Sequence, residues 1–325
     1  MILSVSRRTD IPNYYADWFY NRIKEGFLYV KNPMNPHQVS RIALSLELID
    51  CIVFWTKNPE PMLARLRELD DYAYYFQFTL TGYGRDIEPN VPHKKNKMIP
   101  VFQKLSDTIG SRRVIWRYDP ILFNDIYTEE YHLRAFGQIA DALAGYTKKC
   151  IISFVDTYAK NKAVMRELKI PEPFWEDGQV DSEQIQLQLQ NFKVFAARLS
   201  EIAHRNGMEI ATCAEKIDLS DCGIGHSSCI DRALVEEITG YAIDVSKDKS
   251  QRAECGCVES IEVGTYHTCL NGCKYCYAND SREKAERNFK AYDVNSPLLC
   301  GQIEDGDRIT DRRVRRLGDS APYTP

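Results

Sequence analysis

The segment Cys51-Ile-Val-Phe-Trp-Thr56 is a short run of β-branched and aromatic residues, and a segment of helical period follows it at residues 59–69. This pair predicts a buried strand and a helix that packs on the sheet. Further runs of the same kind cover residues 2–6, 72–81, 113–118, 150–155, 209–214, 241–245 and 260–267. Because strands that alternate with helices form parallel sheets, the chain predicts an α/β fold.

Other segments have the period of an amphipathic helix. The clearest covers residues 182–206, where apolar side chains lie on one face and Gly207 ends the helix. The others cover residues 14–25, 95–108, 129–144, 231–239 and 281–292. We expect a TIM-like (β/α) barrel over residues 1–250, a cysteine-rich region that completes the barrel over 251–300, and a polar tail over 301–325.

The chain has 325 residues and a formal net charge of −4. It therefore has no general basic field to attract nucleic acid or an anionic membrane, and such a partner would need a local patch. The first residues lack the features of a secretory signal, and no apolar run reaches the length of about 18 residues that spans a bilayer. These observations predict a cytoplasmic protein without a membrane partner.

Polar residues stand at the carboxyl ends of the predicted strands, where active sites form in parallel barrels. The candidate catalytic residues are Arg7, Asp10, Lys57, Arg117, Asp119 and Glu215. Asp10 and Asn58 have an alternative role as helix caps, since a proline near the start of a helix follows each of them. The arginines and Lys57, together with Arg8, would form a pocket for a carboxylate or a phosphate.

The eleven cysteines are concentrated late in the chain, since eight of them lie between Cys213 and Cys276. A cytoplasmic compartment keeps thiols reduced, so this number does not indicate disulfides. Clustered cysteines are typical of metal ligands. The isolated Cys51, Cys150 and Cys300 fit small buried side chains instead.

The sharpest motif is Thr268-Cys-Leu-Asn-Gly-Cys-Lys-Tyr-Cys-Tyr277, with the spacing Cys-x-x-x-Cys-x-x-Cys. Its cysteines are Cys269, Cys273 and Cys276. Three thiolates on one loop can surround a metal centre, and sulfur ligands select iron–sulfur clusters, zinc or Cu(I). A structural zinc ion needs a fourth ligand, for which the Cys255-Gly-Cys257 pair and His267 are candidates. The spacing therefore predicts a metal centre and leaves zinc open.

This motif closely resembles the cluster loop of radical S-adenosylmethionine (SAM) enzymes. That loop also carries an aromatic residue before its third cysteine, and Tyr275 has this position here. The resemblance therefore implies that Tyr275 lies beside the cofactor. The resemblance implies a [4Fe–4S] cluster with one iron open to SAM, and an external electron donor such as ferredoxin or flavodoxin. One-electron reduction would cleave SAM to a 5′-deoxyadenosyl radical, which abstracts hydrogen from a substrate.

The position of the motif differs from that superfamily, in which it follows the first barrel strand. Here it lies near the end of the chain. A circularly permuted radical SAM barrel accounts for this position if residues 260–267 form the last strand, beside residues 2–6. The resemblance then implies that residues after the first strand hold the amino end of SAM, and these are Ser6, Arg8 and Thr9.

Five more cysteines precede the motif: Cys213, Cys222, Cys229, Cys255 and Cys257. Four of them would form a second site for an iron–sulfur cluster or a zinc ion, similar to the auxiliary clusters of several radical SAM families. Cys255 and Cys257 are close in sequence, and Cys229 follows a flexible loop. Either Cys213 or Cys222 would be the fourth ligand.

Several stretches resemble an uncharacterised prokaryotic family, the domain of unknown function 1848, over nearly the whole chain. They are residues 4–10, 54–59, 115–120, 212–215 and 269–278. The C-terminal cysteines of that family have been likened to a radical SAM cluster, but the family implies no substrate. The string Gly272-Cys-Lys-Tyr-Cys-Tyr277 is also similar to the cluster loop of spore photoproduct lyase, which repairs DNA. The substrate class therefore stays open between a small molecule and a nucleic acid.

Three hypotheses for the function follow from these residues. The first is a radical SAM enzyme of unknown substrate. The second is a non-catalytic module that carries a zinc ion or a redox iron–sulfur cluster. The third is a barrel enzyme whose catalysis uses only the charged residues at the strand ends, and such activity would survive the replacement of Cys273 by alanine.

Overall fold

The computed structural model describes residues 1–158, 161–171 and 183–322. Its strands are β1 (Ile2–Val5), β2 (Phe27–Asn32), β3 (Asn35–Ala43), β4 (Cys51–Thr56), β5 (Tyr74–Thr79), β6 (Val114–Ile121), β7 (Lys149–Phe154), β8 (Glu209–Thr212), β9 (Gly225–His226), β10 (Tyr241–Ile243), β11 (Ile261–Glu262), β12 (Arg308–Asp311) and β13 (Gly318–Pro322). Its α-helices are α1 (Ile11–Tyr14), α2 (Ala16–Glu25), α3 (Glu60–Leu63), α4 (Ile99–Ile109), α5 (Glu129–Leu143), α6 (Lys162–Glu167), α7 (Glu183–Arg205), α8 (Arg232–Thr239) and α9 (Arg282–Lys290). Each segment predicted as a strand or a helix contains an observed element. The predicted start of the longest helix, residue 182, lies outside the described residues.

Within the described residues, eight parallel strands form the main sheet, in the spatial order β11-β1-β4-β5-β6-β7-β8-β9. Helices connect most neighbouring strands of this order. Strands β1, β4 and β5 are buried almost throughout. Burial on both faces explains why such strands are nearly continuous apolar runs in the sequence. The predicted α/β class and parallel sheet are confirmed.

Strand β11, late in the chain, lies beside the first strand β1, as the permuted order predicts. The two are parallel, with Leu3 opposite Ile261 and Ser4 opposite Glu262. At the other edge β9 pairs with β8, and no ladder joins β9 to β11 in the described parts of the chain. The edge strands β9 and β11 are only two residues long, which is shorter than the strands of a typical sheet, and they do not pair with each other. The predicted closed barrel is therefore not observed, and the sheet is open.

Small sheets lie outside the main one. The β2–β3 hairpin pairs with β12, and β10 pairs with β13. The sequence pattern does not predict the hairpin, because half of β3 is exposed and polar. Strand β10 exists as predicted but does not join the main sheet. Strands β12 and β13 fall within residues 301–325, so this part of the predicted polar tail pairs with earlier strands, although β12 itself is exposed throughout.

The two faces of the main sheet have different surroundings. One face packs against α2, α4, α5 and α7, and here the rings of Trp116 and Phe136 stack with centroids 4.7 Å apart. The other face carries Val53 and Tyr75 and lies under α8 and the cysteine-rich segment. None of the described helices is long and apolar enough to cross a membrane.

Candidate functional site

A cavity of about 490 Å³ opens at the carboxyl ends of the main-sheet strands. Every residue that the sequence predicts for the site lines it, except the alternative ligands Cys222 and His267. The polar ones are Ser6, Arg7, Arg8, Thr9, Asp10, Lys57, Arg117, Asp119, Glu215 and Tyr275, and the cysteines are Cys213, Cys229, Cys255, Cys257, Cys269, Cys273 and Cys276. The fold thus brings residues from distant parts of the chain into one place, which we call the site cavity.

The cysteine loop, residues 268–277, forms one side of the site cavity. Gly272 adopts φ +68°, and a Cβ there would lie 3.2 Å from Pro89 Cγ, so the loop needs glycine at its bend. Asn90 Nδ2 donates to Leu270 O at 2.6 Å and fixes the loop from outside. The bend and this contact present the cysteines to the cavity.

The three sulfur atoms of the cysteine loop are spread more widely than the ligands of one ion. The Sγ atoms of Cys269, Cys273 and Cys276 do not all lie within 4.8 Å of one another. Burial raises the pKa of the Cys269 thiol and raises the pKa of Cys273 to about 12. A positively charged centre is therefore needed to stabilise their thiolate forms.

Asp10 ties the cysteine loop to the end of β1. Its buried carboxylate accepts hydrogen bonds from Thr56 Oγ1 at 2.6 Å, Lys57 N at 2.9 Å and Asn271 Nδ2 at 2.9 Å. It also accepts from Asn13 N at 3.2 Å and so caps α1, the alternative role that the sequence left open. Burial raises the pKa of Asp10, although these donors oppose the rise. With its oxygens engaged in this way, Asp10 positions the loop.

Glu88, which the sequence does not single out, is a charged centre behind the loop. Lys57 Nζ donates to the Glu88 carboxylate at 2.8 Å, and Thr81 Oγ1 donates to the same carboxylate at 3.0 Å. Lys94 Nζ and the Tyr275 hydroxyl also donate to it. Burial opposes the ionisation of Glu88, but the two lysines lower its pKa to about 2. The buried Glu88 and its two lysines therefore anchor the cysteine loop through Tyr275.

Two guanidinium groups lie over the Trp55 ring inside the site cavity. Arg7 and Arg117 are each 5.2 Å from the centroid of this ring. Arg117 also pairs with Asp119 and donates to Cys229 Sγ. One aromatic platform thus carries two positive charges, as expected for a pocket that binds an anion.

Three buried polar atoms of the cavity wall have no hydrogen-bond partner among the described residues. They are Arg7 Nη2, Thr9 Oγ1 and Trp55 Nε1. A buried polar group without a partner costs roughly 1–3 kcal/mol, so it needs an explanation. All three atoms can donate hydrogen bonds. A ligand that offers anionic or hydroxyl oxygens would complete them.

Asp119 and Glu215 reach the site cavity from the ends of β6 and β8. Arg117 Nε donates to Asp119 Oδ2 at 2.9 Å, and the Ser153 hydroxyl donates to the other carboxylate oxygen. Burial would raise the pKa of Asp119, but Arg117 lowers it. Glu215 accepts a hydrogen bond from Phe154 N at 2.8 Å. These two carboxylates are therefore held in place, Asp119 by Arg117 and Ser153 and Glu215 by the backbone of Phe154.

The residues that follow β1 lie next to the end of β11. Ser6 Oγ accepts from Arg8 N at 2.9 Å, and Arg8 Nη1 donates to Gly264 O at 3.4 Å. Glu262, a further residue that the sequence does not identify, accepts from Arg7 N at 3.0 Å. The residues predicted to hold SAM thus lie beside the strand that leads into the cysteine loop.

A second set of sulfur atoms lines the site cavity, and we call it the four-cysteine group: Cys213, Cys229, Cys255 and Cys257. The Sγ atoms of Cys213, Cys229 and Cys257 all lie within 4.8 Å of one another. Cys255 lines the same wall of the cavity, and its thiol interacts with those of Cys213 and Cys257. Cys222 lies elsewhere, with its Sγ 3.5 Å from Lys193 O. The structure therefore brings Cys213, and not Cys222, to this group.

Residues that sequence reasoning missed have partners far away in the chain. Arg252 lines the cavity wall, where its Nη2 pairs with Asp156 Oδ2 at 2.5 Å. Trp55 also lines the cavity, but in the sequence it has the pattern of an ordinary core residue in a strand. A signal for Glu88 does exist, because it lies in the Gly- and Pro-rich segment that follows β5, nine residues after that strand ends. Glu262 lies within the predicted strand at residues 260–267, next to the cysteine loop.

No curated protein matches the chain in a sequence comparison. Residues 2–278 match the family model described as Domain of unknown function (DUF1848). The matched range contains every residue that lines the site cavity, including both sets of cysteines. The chain therefore belongs to the DUF1848 family.

Proposed function

We propose that the protein is a radical SAM enzyme that binds a [4Fe–4S] cluster on Cys269, Cys273 and Cys276 and acts on a substrate in the site cavity. One observation carries this proposal. The cysteine loop, with its spacing Cys-x-x-x-Cys-x-x-Cys and its Tyr275, lines the same cavity as the charged strand ends. A module that only carries electrons has no need of such a cavity.

The donor set of the cysteine loop fits a cubane cluster with one open iron. Three thiols are present, and their sulfur atoms are spread more widely than a single ion requires. When bound and reduced, such a cluster supplies the electron that cleaves SAM to methionine and a 5′-deoxyadenosyl radical. The unpartnered donors in the same cavity support the binding of a further polar ligand beside it.

The residues around the loop hold it and supply charge. Asp10 accepts from Asn271 on one side, and the Glu88 carboxylate holds Tyr275 on the other. Such outer contacts limit the movement of metal ligands. Burial opposes the charge of Lys57 and Arg117, but nearby carboxylates raise the pKa of each. Both side chains therefore stay positive and favour an anionic substrate or the carboxylate of SAM.

Anaerobic reconstitution with iron and sulfide tests this proposal. We expect roughly four irons and four sulfides per chain, and the release of 5′-deoxyadenosine and methionine when the reduced protein meets SAM. Cys273→Ala should lose the iron. Cys300→Ala is the control, because it removes a partly buried cysteine that does not line the site cavity, and it should keep both the iron and SAM cleavage.

Other results would favour the competing functions. A protein that holds the cluster when reduced, but never releases 5′-deoxyadenosine, would be an electron-transfer module. Tightly bound zinc at the cysteine loop, with no iron, would exclude the cluster. A catalytic activity that survives Cys273→Ala would favour an enzyme that uses the charged strand ends alone.

A further inference from the structure

We propose that the four-cysteine group binds one tetrahedral metal ion of the zinc type. The ion is structural, lies at the wall of the site cavity and is separate from any cluster on the cysteine loop. This proposal does not depend on the proposed radical chemistry, because it rests on the geometry of different residues.

The four sulfur atoms come from three separate parts of the chain. Cys213 follows β8, Cys229 precedes α8, and Cys255 and Cys257 form a Cys-Gly-Cys turn before β11. All four residues are buried, at 8% exposure or less. Buried thiols are weak hydrogen-bonding groups and do not by themselves explain why four of them meet. One cation with four thiolate ligands does explain it.

Three of the four sulfur atoms are close enough together to share a single ion. A tetrahedral ion with metal–sulfur bonds of about 2.3 Å holds its ligands about 3.8 Å apart. The Sγ atoms of Cys213, Cys229 and Cys257 all lie within 4.8 Å of one another. Those of Cys213 and Cys229, at 2.9 Å, would separate around an ion, and Cys255, which lies outside this set of three, would move towards it as the fourth ligand. The cysteine ligands of a cubane are farther apart, because its irons and sulfides occupy the space between them. The sulfur atoms of Cys213, Cys229 and Cys257 are too close together to leave room for the irons and sulfides of a cubane between them.

The backbone around the ligands is fixed by specific contacts. Tyr75 OH and Gln77 Nε2 both donate to Cys229 O, at 2.7 and 2.8 Å. Gly256, in the middle of the Cys-Gly-Cys turn, lies against Ser228, and a Cβ on it would be 2.6 Å from Ser228 Oγ. Glycine therefore allows this turn to approach the segment that carries Cys229.

Hydrogen-bond donors point at two of the sulfur atoms. Ile230 N donates to Cys257 Sγ at 3.3 Å, and Arg117 Nη1 donates to Cys229 Sγ. Neutral thiols are weak acceptors, whereas metal-bound thiolates accept such bonds and are stabilised by a nearby positive charge. Arg117 thus connects the four-cysteine group with the interior of the site cavity.

Four protein ligands leave no open position, which is typical of a structural zinc ion. Cys213 and Cys229 lie next to β8 and β9 at one edge of the main sheet, and the Cys-Gly-Cys turn leads into β11 at the other. No ladder joins these edges in the residues that the structure describes. Val258 N donates to Ile230 O at 3.2 Å, so the segments that carry Cys229 and Cys257 already touch, and the ion would reinforce this contact between parts of the described chain that no ladder joins.

Metal analysis of a variant with alanine at all three cysteines of the cysteine loop tests the proposal independently of the cluster. After purification under reducing conditions, we expect about one zinc ion per chain in this variant. A further Cys213→Ser or Cys257→Ser substitution should remove it. Cys222→Ser is the matched control, because Cys222 lies in the same part of the chain but outside the four-cysteine group, and it should keep the zinc.

Cobalt(II) gives a second readout that needs no change in the four-cysteine group. Bound in place of zinc, it should show the visible absorption of a tetrahedral site with four thiolate ligands. A thiol-modifying reagent should release the ion and abolish this absorption. Circular dichroism of each serine variant then distinguishes the loss of the ion from the loss of the whole fold.

Three results would overturn the proposal: no zinc in the triple alanine variant, iron with sulfide on the four-cysteine group, or a Cys213–Cys229 disulfide in protein kept under reducing conditions. Failure of the radical function has a different signature. In that case the unaltered protein would fail to cleave SAM and would still retain its zinc.

Discussion

The side-chain amide of Asn271 donates to the carboxylate of Asp10, with 2.9 Å between Nδ2 and Oδ2. Tyr14 OH donates to Asn271 Oδ1 at the same distance and fixes the amide from the other side. These bonds join the cysteine loop to the residues that follow β1, although most of the chain lies between them. The parallel pairing of β11 with β1 allows this contact.

Asp10→Asn should loosen the cysteine loop without removing a metal ligand. An amide has one acceptor oxygen in place of two, so some donors to Asp10 lose their partner. We expect the free energy of unfolding in urea to fall by about 2–3 kcal/mol, and less iron to remain after gel filtration. Asp218→Asn, at an exposed aspartate that accepts from Ser220 N, should change neither quantity much. Equal losses in the two variants would contradict the role of Asp10.

Gly272→Ala should weaken cluster binding through the shape of the loop. Residue 272 has φ +68°, which costs alanine about 1 kcal/mol, and its Cβ would press on Pro89 Cγ at 3.2 Å. Gly207→Ala is the control, since it has φ +70° but its Cβ would meet nothing described within 4 Å. Both variants should lose stability through strain, and only Gly272→Ala should lower the iron-to-protein ratio. Equal iron loss would show that the Pro89 contact does not matter.

Glu88→Gln should be strongly destabilising. It removes the carboxylate that pairs the buried Lys57 and Lys94, and the loss of one partner of a buried ion pair costs about 3–5 kcal/mol. Glu60→Gln is the control, since the side chains of the Lys97–Glu60 pair are 48% and 46% exposed, and it should cost less than about 1 kcal/mol. Chemical denaturation measures both. Similar costs would mean that solvent already screens Glu88.

The sheet and the position of the site were predictable because both depend on local composition. Parallel strands that are buried on both faces, such as Cys51–Thr56, are continuous apolar runs with polar ends. The carboxyl ends of parallel strands meet at one edge, so polar residues after separate strands, such as Asp10 and Asp119, had to lie close together. Their convergence on one cavity needed no knowledge of distant contacts.

The contacts of Glu88 and the open sheet were not predictable in this way. Lys94 is only six residues from Glu88, but Lys57 and Tyr275 are 31 and 187 residues away, and no local pattern encodes their meeting. Closure of the sheet depended on β9 and β11, which have two residues each. Strands of that length give no periodic signal, so their pairing follows only from the packing of the whole chain.

His132 should make stability depend on pH. The buried ring contacts Tyr118 OH through Nδ1 at 2.9 Å and Leu122 O through Nε2 at 2.8 Å, and burial lowers its pKa from 6.5 to about 4. Between these values the unfolded chain binds a proton that the folded chain does not. The free energy of unfolding should therefore fall by up to about 3 kcal/mol as the pH is lowered from 6.5 to 4.

Urea unfolding across this pH range measures the effect of His132. His132→Phe should be less stable at neutral pH but should show a flatter profile, because the titrating group is gone. Tyr118→Phe is the control, since it removes one contact of the ring and keeps the histidine. It should lower stability and retain the slope. A wild-type profile as flat as that of His132→Phe would show that the pKa of His132 is the same in the folded and unfolded chains.

Thr9→Val should stabilise the ligand-free protein and weaken ligand binding. The buried Thr9 Oγ1 has no hydrogen-bond partner within the described part of the chain. Valine keeps the shape and removes this hydroxyl, so the free energy of unfolding should rise by about 1 kcal/mol. If SAM binds in the site cavity as proposed, the reconstituted variant lacks this hydroxyl as a donor to SAM. The affinity of the reconstituted protein for SAM, measured by calorimetry without oxygen, should fall roughly 10-fold, which corresponds to about 1.4 kcal/mol.

Thr147→Val is the matched control for Thr9→Val. Thr147 is also buried, but its hydroxyl donates to Val114 O at 2.7 Å, at the amino ends of β6 and β7 and outside the lining of the site cavity. This change should lower stability by about 1 kcal/mol and leave the affinity for SAM unchanged. Effects of opposite sign on stability and affinity at Thr9 identify a group that serves a ligand. If Thr9→Val is less stable and binds SAM as tightly as before, the hydroxyl serves the fold instead.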